Sequence, residues 1–143
     1  EIAEETERHI DYAKRFRTNE FVIHDRVDAI SHATCGMAID IGAKVIVVTS
    51  MSGMTVRMVS RFRAPTDIVG MATNKRVWYK LSLSWGVLPV LSEQFNSTDV
   101  LFYHALRAAR DTMHLQPGDN VVMTGGITNG KSGNTNLIKI EAV

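Results

Sequence analysis

The run KVIVVT at residues 44–49 is the feature that most restricts how this chain can fold. Its four central residues, at positions 45–48, are all apolar, without the alternation of apolar and polar residues that marks a strand with one solvent-exposed face. It therefore predicts a strand buried on both faces. Sheets built from such strands are mostly parallel, with crossover helices packed on both sides. The rest of the chain has to supply those helices.

Helical and strand-like patterns alternate along the chain as this requirement demands. Asp25 or Asp28 is placed to open a helix that runs to about Ile41, and Gly42 is placed to end it. We predict further helices at residues 53–62, 74–84 and 97–114, and strands at residues 44–49, 67–71, 87–91, 120–124 and 137–143.

These elements predict a three-layer α/β/α sandwich around a mostly parallel five-stranded sheet. A loop of about a dozen residues without a helix joins the last two strands, so the final strand is expected to be antiparallel and to lie at an edge. Pro89 places the third strand at an edge or marks its start. A chain of 143 residues fits one domain, which we divide into a polar connecting helix within residues 1–20 and a core at residues 21–143.

Composition excludes several classes of partner. The net charge is +1, with 16 basic and 15 acidic residues, which argues against nucleic acid as a main partner. No apolar run approaches the roughly 20 residues of a membrane span. Cys35 is the only cysteine, so no internal disulfide is possible, and this suits the cytoplasm. The charged start, EIAEETERHIDYAKRF, has no signal-peptide pattern and no initial Met, which suggests a piece of a longer protein.

The six residues SMSGMT follow the buried strand and open the next helix. Ligands of open α/β sheets bind beyond the carboxyl ends of the strands, where helix N-termini present unpaired N–H groups. Gly53 allows close approach to the backbone, and Ser50, Ser52 and Thr55 offer hydroxyl groups. The pattern fits a cradle for one phosphate group. It also fits a plain helix cap formed by Ser52, and the spacing alone does not separate the two.

A wider resemblance covers almost the whole chain. The stretch SMSGMTVRMVSRFRAPTDIVGMA resembles the C-terminal domain of pyruvate kinase, bacterial type, and the ending GDNVVMTGGITNGKSGNTNLIKIEAV resembles the C-terminal hairpin and effector loop of that domain. The stretches IAEETE, DAISHATCGMAIDIGAKVIVV and WGVLPVL resemble the same domain and occur in the same order.

The resemblance implies a regulatory and oligomerisation domain. Its parent enzyme transfers a phosphoryl group from phosphoenolpyruvate to ADP in glycolysis, in the cytoplasm, with Mg²⁺ and K⁺. The catalytic site of that family lies upstream, in a TIM barrel and its lid domain, so no catalytic or metal-binding residue is expected here. The implied partners are a phosphorylated small-molecule effector and other pyruvate kinase subunits in a tetramer. The helix at residues 25–41 and the last strand are the expected interface.

The resemblance also implies which residues hold the effector. The phosphate-loop positions are Ser50, Met51, Ser52, Gly53, Met54 and Thr55. The positions of the final loop, which closes over the sugar, are Gly125, Gly126, Gly130, Lys131, Ser132 and Gly133.

Two departures from the family pattern bear on the ligand. Met51 and Met54 occupy a loop in which family members often have lysine or arginine, and Leu101 lies close to the position of an arginine that holds a second phosphate. A sugar monophosphate or a nucleotide monophosphate is therefore favoured over a bisphosphate. An assembly domain that has lost its ligand is the alternative.

Residues 125–132, GGITNGKS, satisfy the P-loop pattern G-x-x-x-x-G-K-S. A P-loop must open a helix, whereas the strand-like run LIKIEAV follows here, so we interpret the match as accidental. A stand-alone Rossmann-like enzyme acting on a phosphosugar or a nucleotide is the other alternative. It would need a cluster of titratable residues near the strand ends, where the candidates Arg57, Asp67 and Lys131 make no recognisable set. Lys131 is expected either near an effector phosphate or in solvent. Cys35 is expected to be a buried, unreactive thiol.

Overall fold

The computed structural model of the chain describes residues 1–126 and 135–143. None of the helices within these residues has the length and apolar character that a membrane crossing demands. In chain order the elements are α1 (Ile2–Arg8), α2 (Tyr12–Thr18), α3 (Arg26–Ile41), β1 (Val45–Thr49), α4 (Met54–Arg61), β2 (Asp67–Ala72), α5 (Lys75–Leu81), β3 (Val87–Leu91), α6 (Thr98–Met113), β4 (Asn120–Gly125) and β5 (Leu137–Ala142).

The five strands form one sheet in the order β3-β2-β1-β4-β5. The pairs β3–β2, β2–β1 and β1–β4 are parallel, and β5 lies antiparallel to β4. β3 and β5 are the two edges, which confirms both the antiparallel final strand and the edge position inferred from Pro89. The predicted α/β fold is therefore confirmed.

Strand β1 lies at the centre of the sheet and is buried along its whole length. Its alternate residues serve two separate cores. Ile46 and Val48 pack in a cluster with residues of α3, α4 and α5, whereas Val45 and Val47 pack in a cluster with residues of α6. The two-sided burial explains why residues 45–48 are all apolar.

Helix caps form where the sequence places them. The Asp25 carboxylate accepts a hydrogen bond from the Asp28 N–H at 2.9 Å, and Gly42 ends α3 at φ +62°. Asn74 caps α5 in the same way as Asp25, through the N–H of Val77 at 2.9 Å. Ser97 occupies the N-cap position of α6, but its side chain makes no capping hydrogen bond.

The predicted single helix at residues 1–17 is wrong, because the structure has two helices there. Asp11 accepts a hydrogen bond from the Lys14 N–H at 3.0 Å and so starts α2 separately from α1. The segment is also more than a solvated connector. Phe16 is only 7% exposed and packs with Phe62 at the end of α4.

Helix α4 is held at its C-terminal end by two polar contacts, one of which continues through Trp85 to the N-terminal segment. The Ser60 hydroxyl donates to the Trp85 carbonyl at 2.7 Å, and the Trp85 indole N–H donates to the Glu7 carboxylate at 2.8 Å. Arg61 lies 3.7 Å from the buried carboxylate of Asp28 on α3. The helix that opens at SMSGMT is therefore fixed to both α3 and the N-terminal segment.

Cys35 lies inside the core on α3, with its side chain fully buried. Its sulfur lies 3.7 Å from the Val59 carbonyl, and burial raises the pKa of the thiol to about 12. The predicted burial of Cys35 is confirmed, and a protonated thiol is a weak nucleophile.

Candidate functional site

The loop between β1 and α4 depends on a glycine at its last position. Gly53 is the N-cap residue of α4 and has φ +77°, in the left-handed region that side chains other than glycine rarely adopt. A Cβ atom built there would lie 3.0 Å from Val77 Cγ1 and 3.1 Å from Leu81 Cδ2. Both the backbone conformation and the space against α5 therefore require glycine.

The two serine hydroxyls of this loop bond to the loop's own backbone. Ser50 Oγ accepts a hydrogen bond from the Gly53 N–H at 3.1 Å, and Ser52 Oγ accepts one from the Met54 N–H at 3.3 Å. Ser52 therefore acts on the first turn as a cap would. An oxygen that accepts in this way keeps its own O–H as a donor. In the described part of the chain, neither of these O–H groups has an acceptor.

The first turn of α4 presents further donors. Its first hydrogen bond runs from the Arg57 N–H to the Gly53 carbonyl at 3.1 Å. The N–H groups of Thr55 and Val56 have no acceptor among residues 1–126 and 135–143. The helix dipole adds partial positive charge at this end, and Arg57 is an exposed cation on the same helix. The loop is thus suited to an oxyanion.

The Thr55 hydroxyl was expected to contribute to a phosphate site, but it contacts another threonine instead. Its side chain is 2% exposed, and its hydroxyl oxygen lies 2.9 Å from that of Thr135, just before β5. Its contribution to an anion site is therefore confined to its backbone N–H. The hydroxyl instead fixes the phosphate loop to the returning end of the final loop.

The first residues of the final loop, Gly125 and Gly126, lie beside the end of β1 and the loop that follows it. A Cβ atom on Gly125 would overlap Thr49 Oγ1, so glycine lets β4 approach the end of β1. Gly126 lines a cleft together with Ser50. The structure therefore brings together the two segments that the sequence singled out. Four of the predicted final-loop residues lie outside the described residues, namely Gly130, Lys131, Ser132 and Gly133.

The cleft lies at the carboxyl ends of the four parallel strands, where ligands of such sheets bind. The space inside it, with its open mouth included, is about 420 Å³. Its lining residues are Thr49, Ser50, Met51, Met71, Thr73, Ser92, Glu93, Gln94, Phe95, Leu101 and Gly126.

The residues that line the cleft after β3 were not predicted as site residues from the sequence. Glu93 lines the cleft there, and so does Phe95, whose ring stacks on His104 with centroids 4.4 Å apart and an interplanar angle of 7°. Thr135 was missed as well. The signal that could have found the residues after β3 was their place in the chain. Residues that follow β3 lie at the same end of the parallel sheet as those that follow β1.

The described residues contain no group of three His, Cys, Asp or Glu side chains placed to hold a metal ion. Glu93, the one acidic side chain among the described residues that line the cleft, belongs to no such group. The chemistry that the arrangement supports is binding through neutral hydrogen-bond donors.

Residues 28–141 match the sequence profile of the family described as pyruvate kinase, alpha/beta domain. The chain belongs to this family. The resemblance read from the sequence motifs is therefore confirmed over most of the chain.

Pyruvate kinases of several bacteria are similar to this chain. The pyruvate kinase of Clostridium acetobutylicum is 35% identical over 145 aligned positions, which cover 99% of this chain and 30% of that protein. The enzyme of Lactobacillus delbrueckii subsp. bulgaricus is 32% identical over 89% of this chain and 22% of its own length. That of Staphylococcus saprophyticus is 33% identical over 82% and 20%. The chain thus spans less than a third of these pyruvate kinases.

Proposed function

We propose that this chain is the regulatory and assembly domain of a cytoplasmic pyruvate kinase, and that it binds a phosphorylated effector at residues 50–55. The parent enzyme transfers a phosphoryl group from phosphoenolpyruvate to ADP. The family match and the similarity to bacterial pyruvate kinases support this parent. The proposal assigns catalysis, with its Mg²⁺ and K⁺, to parts of the parent outside this chain.

The observation that carries the effector role is the set of donors at the start of α4. Two hydroxyl groups, from Ser50 and Ser52, and two N–H groups, from Thr55 and Val56, lack acceptors among the described residues. A phosphate monoester offers three acceptor oxygens and negative charge, which the helix N-terminus stabilises. The final loop begins and ends beside these donors. We assign to it the binding of the rest of the effector, the part that carries the phosphate.

The charge of the site favours a single phosphate. Arg57 is an exposed cation on the helix that the loop opens, whereas Leu101 gives the cleft an apolar wall. A second phosphate placed near Leu101 would lose its water without gaining a cation. We therefore assign a sugar monophosphate or a nucleotide monophosphate to the site rather than a bisphosphate.

The assembly role is assigned to α3 and β5. β5 is an edge strand that pairs only with β4, and it exposes Leu137 and Ile140 by 41% and 40%. An edge with unpaired backbone groups and apolar side chains is suited to pairing with another chain. We propose that this edge, together with α3, contacts another pyruvate kinase subunit.

A substitution within the phosphate loop tests the effector role. Ser52→Glu puts a carboxylate where the phosphate is proposed to bind, and repulsion should abolish binding of glucose 6-phosphate in isothermal titration calorimetry. Ser82→Glu is the matched control, because Ser82 is exposed on another helix end and does not line the cleft. Light scattering should give the same oligomeric state for both variants.

Two results would contradict the proposal. If neither sugar phosphates nor nucleoside monophosphates bind the unmodified protein, the chain is an assembly domain without a ligand. If Ser52→Glu and Ser82→Glu bind glucose 6-phosphate equally well, the phosphate lies somewhere other than at α4.

A further inference from the structure

Glu93 gives the cleft an unexpected negative charge. Among the described residues that line the cleft, it is the only one with a charged side chain. It is exposed, and its carboxylate has no hydrogen-bond or ion-pair partner in the described part of the chain. A carboxylate is an unusual neighbour for an anion site, because like charges in a cleft with apolar walls repel each other.

The two ends of the cleft therefore differ in what they accept. The end lined by Ser50 and Met51 supplies the Ser50 hydroxyl as a donor, whereas the segment after β3 supplies the acceptor oxygens of Glu93. A ligand with one phosphate can satisfy the first end and turn hydroxyl or amino donors toward the second. A ligand with a phosphate at each end places its second anion near a carboxylate.

The surface between the two ends is suited to an uncharged ligand body. Phe95 lines the cleft and is held by stacking on His104, so one face of the ring is fixed against α6. Leu101 and Met51 add apolar surface beside it. Sugar and nucleoside rings both offer an apolar face that packs on such side chains, together with donors at their edges.

We propose that Glu93 is a specificity-determining residue, which selects phosphomonoesters with a neutral, hydroxyl-bearing body and rejects bisphosphates. This inference rests on the proposed effector role of residues 50–55. Discrimination between two ligands is the difference between their binding free energies. Glu93 would increase that difference by repelling the second phosphate of a bisphosphate.

The test is calorimetric titration of the protein with glucose 6-phosphate, adenosine 5′-monophosphate and fructose 1,6-bisphosphate. The unmodified protein should bind at least one monoester more tightly than the bisphosphate. Glu93→Gln should raise the affinity for the bisphosphate by about fivefold to tenfold, as expected for removal of one nearby unit charge. It should change the affinity for the monoesters by about threefold at most. The preferred monoester identifies the ligand body.

Glu20→Gln is the control for net charge. Glu20 is exposed and does not line the cleft, so its removal should leave the ratio of the two affinities unchanged. Binding of a monoester with an unchanged bisphosphate affinity in Glu93→Gln would overturn the inference and leave the effector role intact. Absence of binding by all three probes would overturn both.

Discussion

Gly53→Ala is the sharpest test of how the phosphate loop is built. At φ +77° an alanine is strained by roughly 1–2 kcal/mol, because the left-handed conformation brings Cβ close to the following carbonyl. The new Cβ also lies 3.0 Å from Val77 and 3.1 Å from Leu81, and overpacking of this kind costs about 1–3 kcal/mol. Together these effects predict a loss of about 2–5 kcal/mol in the free energy of unfolding.

Gly42→Ala separates the two effects. Gly42 has φ +62°, and an added Cβ there meets nothing within 4 Å. Alanine at this position should therefore show the backbone strain alone, about 1–2 kcal/mol. Each substitution also lowers the conformational entropy of the unfolded chain, which stabilises the fold. This gain is the same in both variants, so it cancels when their stabilities are compared.

Urea denaturation followed by circular dichroism measures both changes, provided the slope with denaturant is the same in all variants. Gly53→Ala should be less stable than Gly42→Ala by at least about 1 kcal/mol. Adding Val77→Ala should recover part of that difference, because it removes the nearest contact. Equal stabilities for the two glycine variants would refute the close packing of the loop against α5.

Three more substitutions give independent checks. Gly70→Ala should destabilise the fold by about 1–3 kcal/mol in the same assay, because its Cβ would lie 2.9 Å from Val56 Cγ1. Cys35 binds its proton more tightly in the native state, so stability should fall from about pH 8.5 towards pH 12, and Cys35→Ala should lack this component. Leu101→Arg should raise the calorimetric affinity for fructose 1,6-bisphosphate by about tenfold, and an unchanged affinity would count against a second-phosphate position there.

The sequence predicted the fold well because its local signals agree with one another. The uninterrupted apolar run at residues 45–48 determines a central strand. Pro89 has no N–H to donate to a neighbouring strand, so its strand belongs at an edge of the sheet. Asp25, Gly42 and Asn74 mark helix ends through contacts within three or four residues. Such signals do not depend on distant parts of the chain.

The features that were missed depend on such distant contacts. Phe16 looks like one apolar residue in a polar helix, and only its packing on Phe62 makes it part of the core. Thr55 looks like a ligand donor until Thr135, 80 residues away, is found beside it. Glu93 has no motif around it, and its importance comes from the cleft that four strands create together.

The described wall of the cleft is made almost entirely of groups that do not ionise. Serine, threonine, glycine, methionine and aromatic side chains line it, and Glu93 is the one carboxylate among the described lining residues. A phosphate monoester takes on its second negative charge near pH 6. A phosphate monoester bound in this cleft would therefore bring most of the ionisable groups of the complex with it.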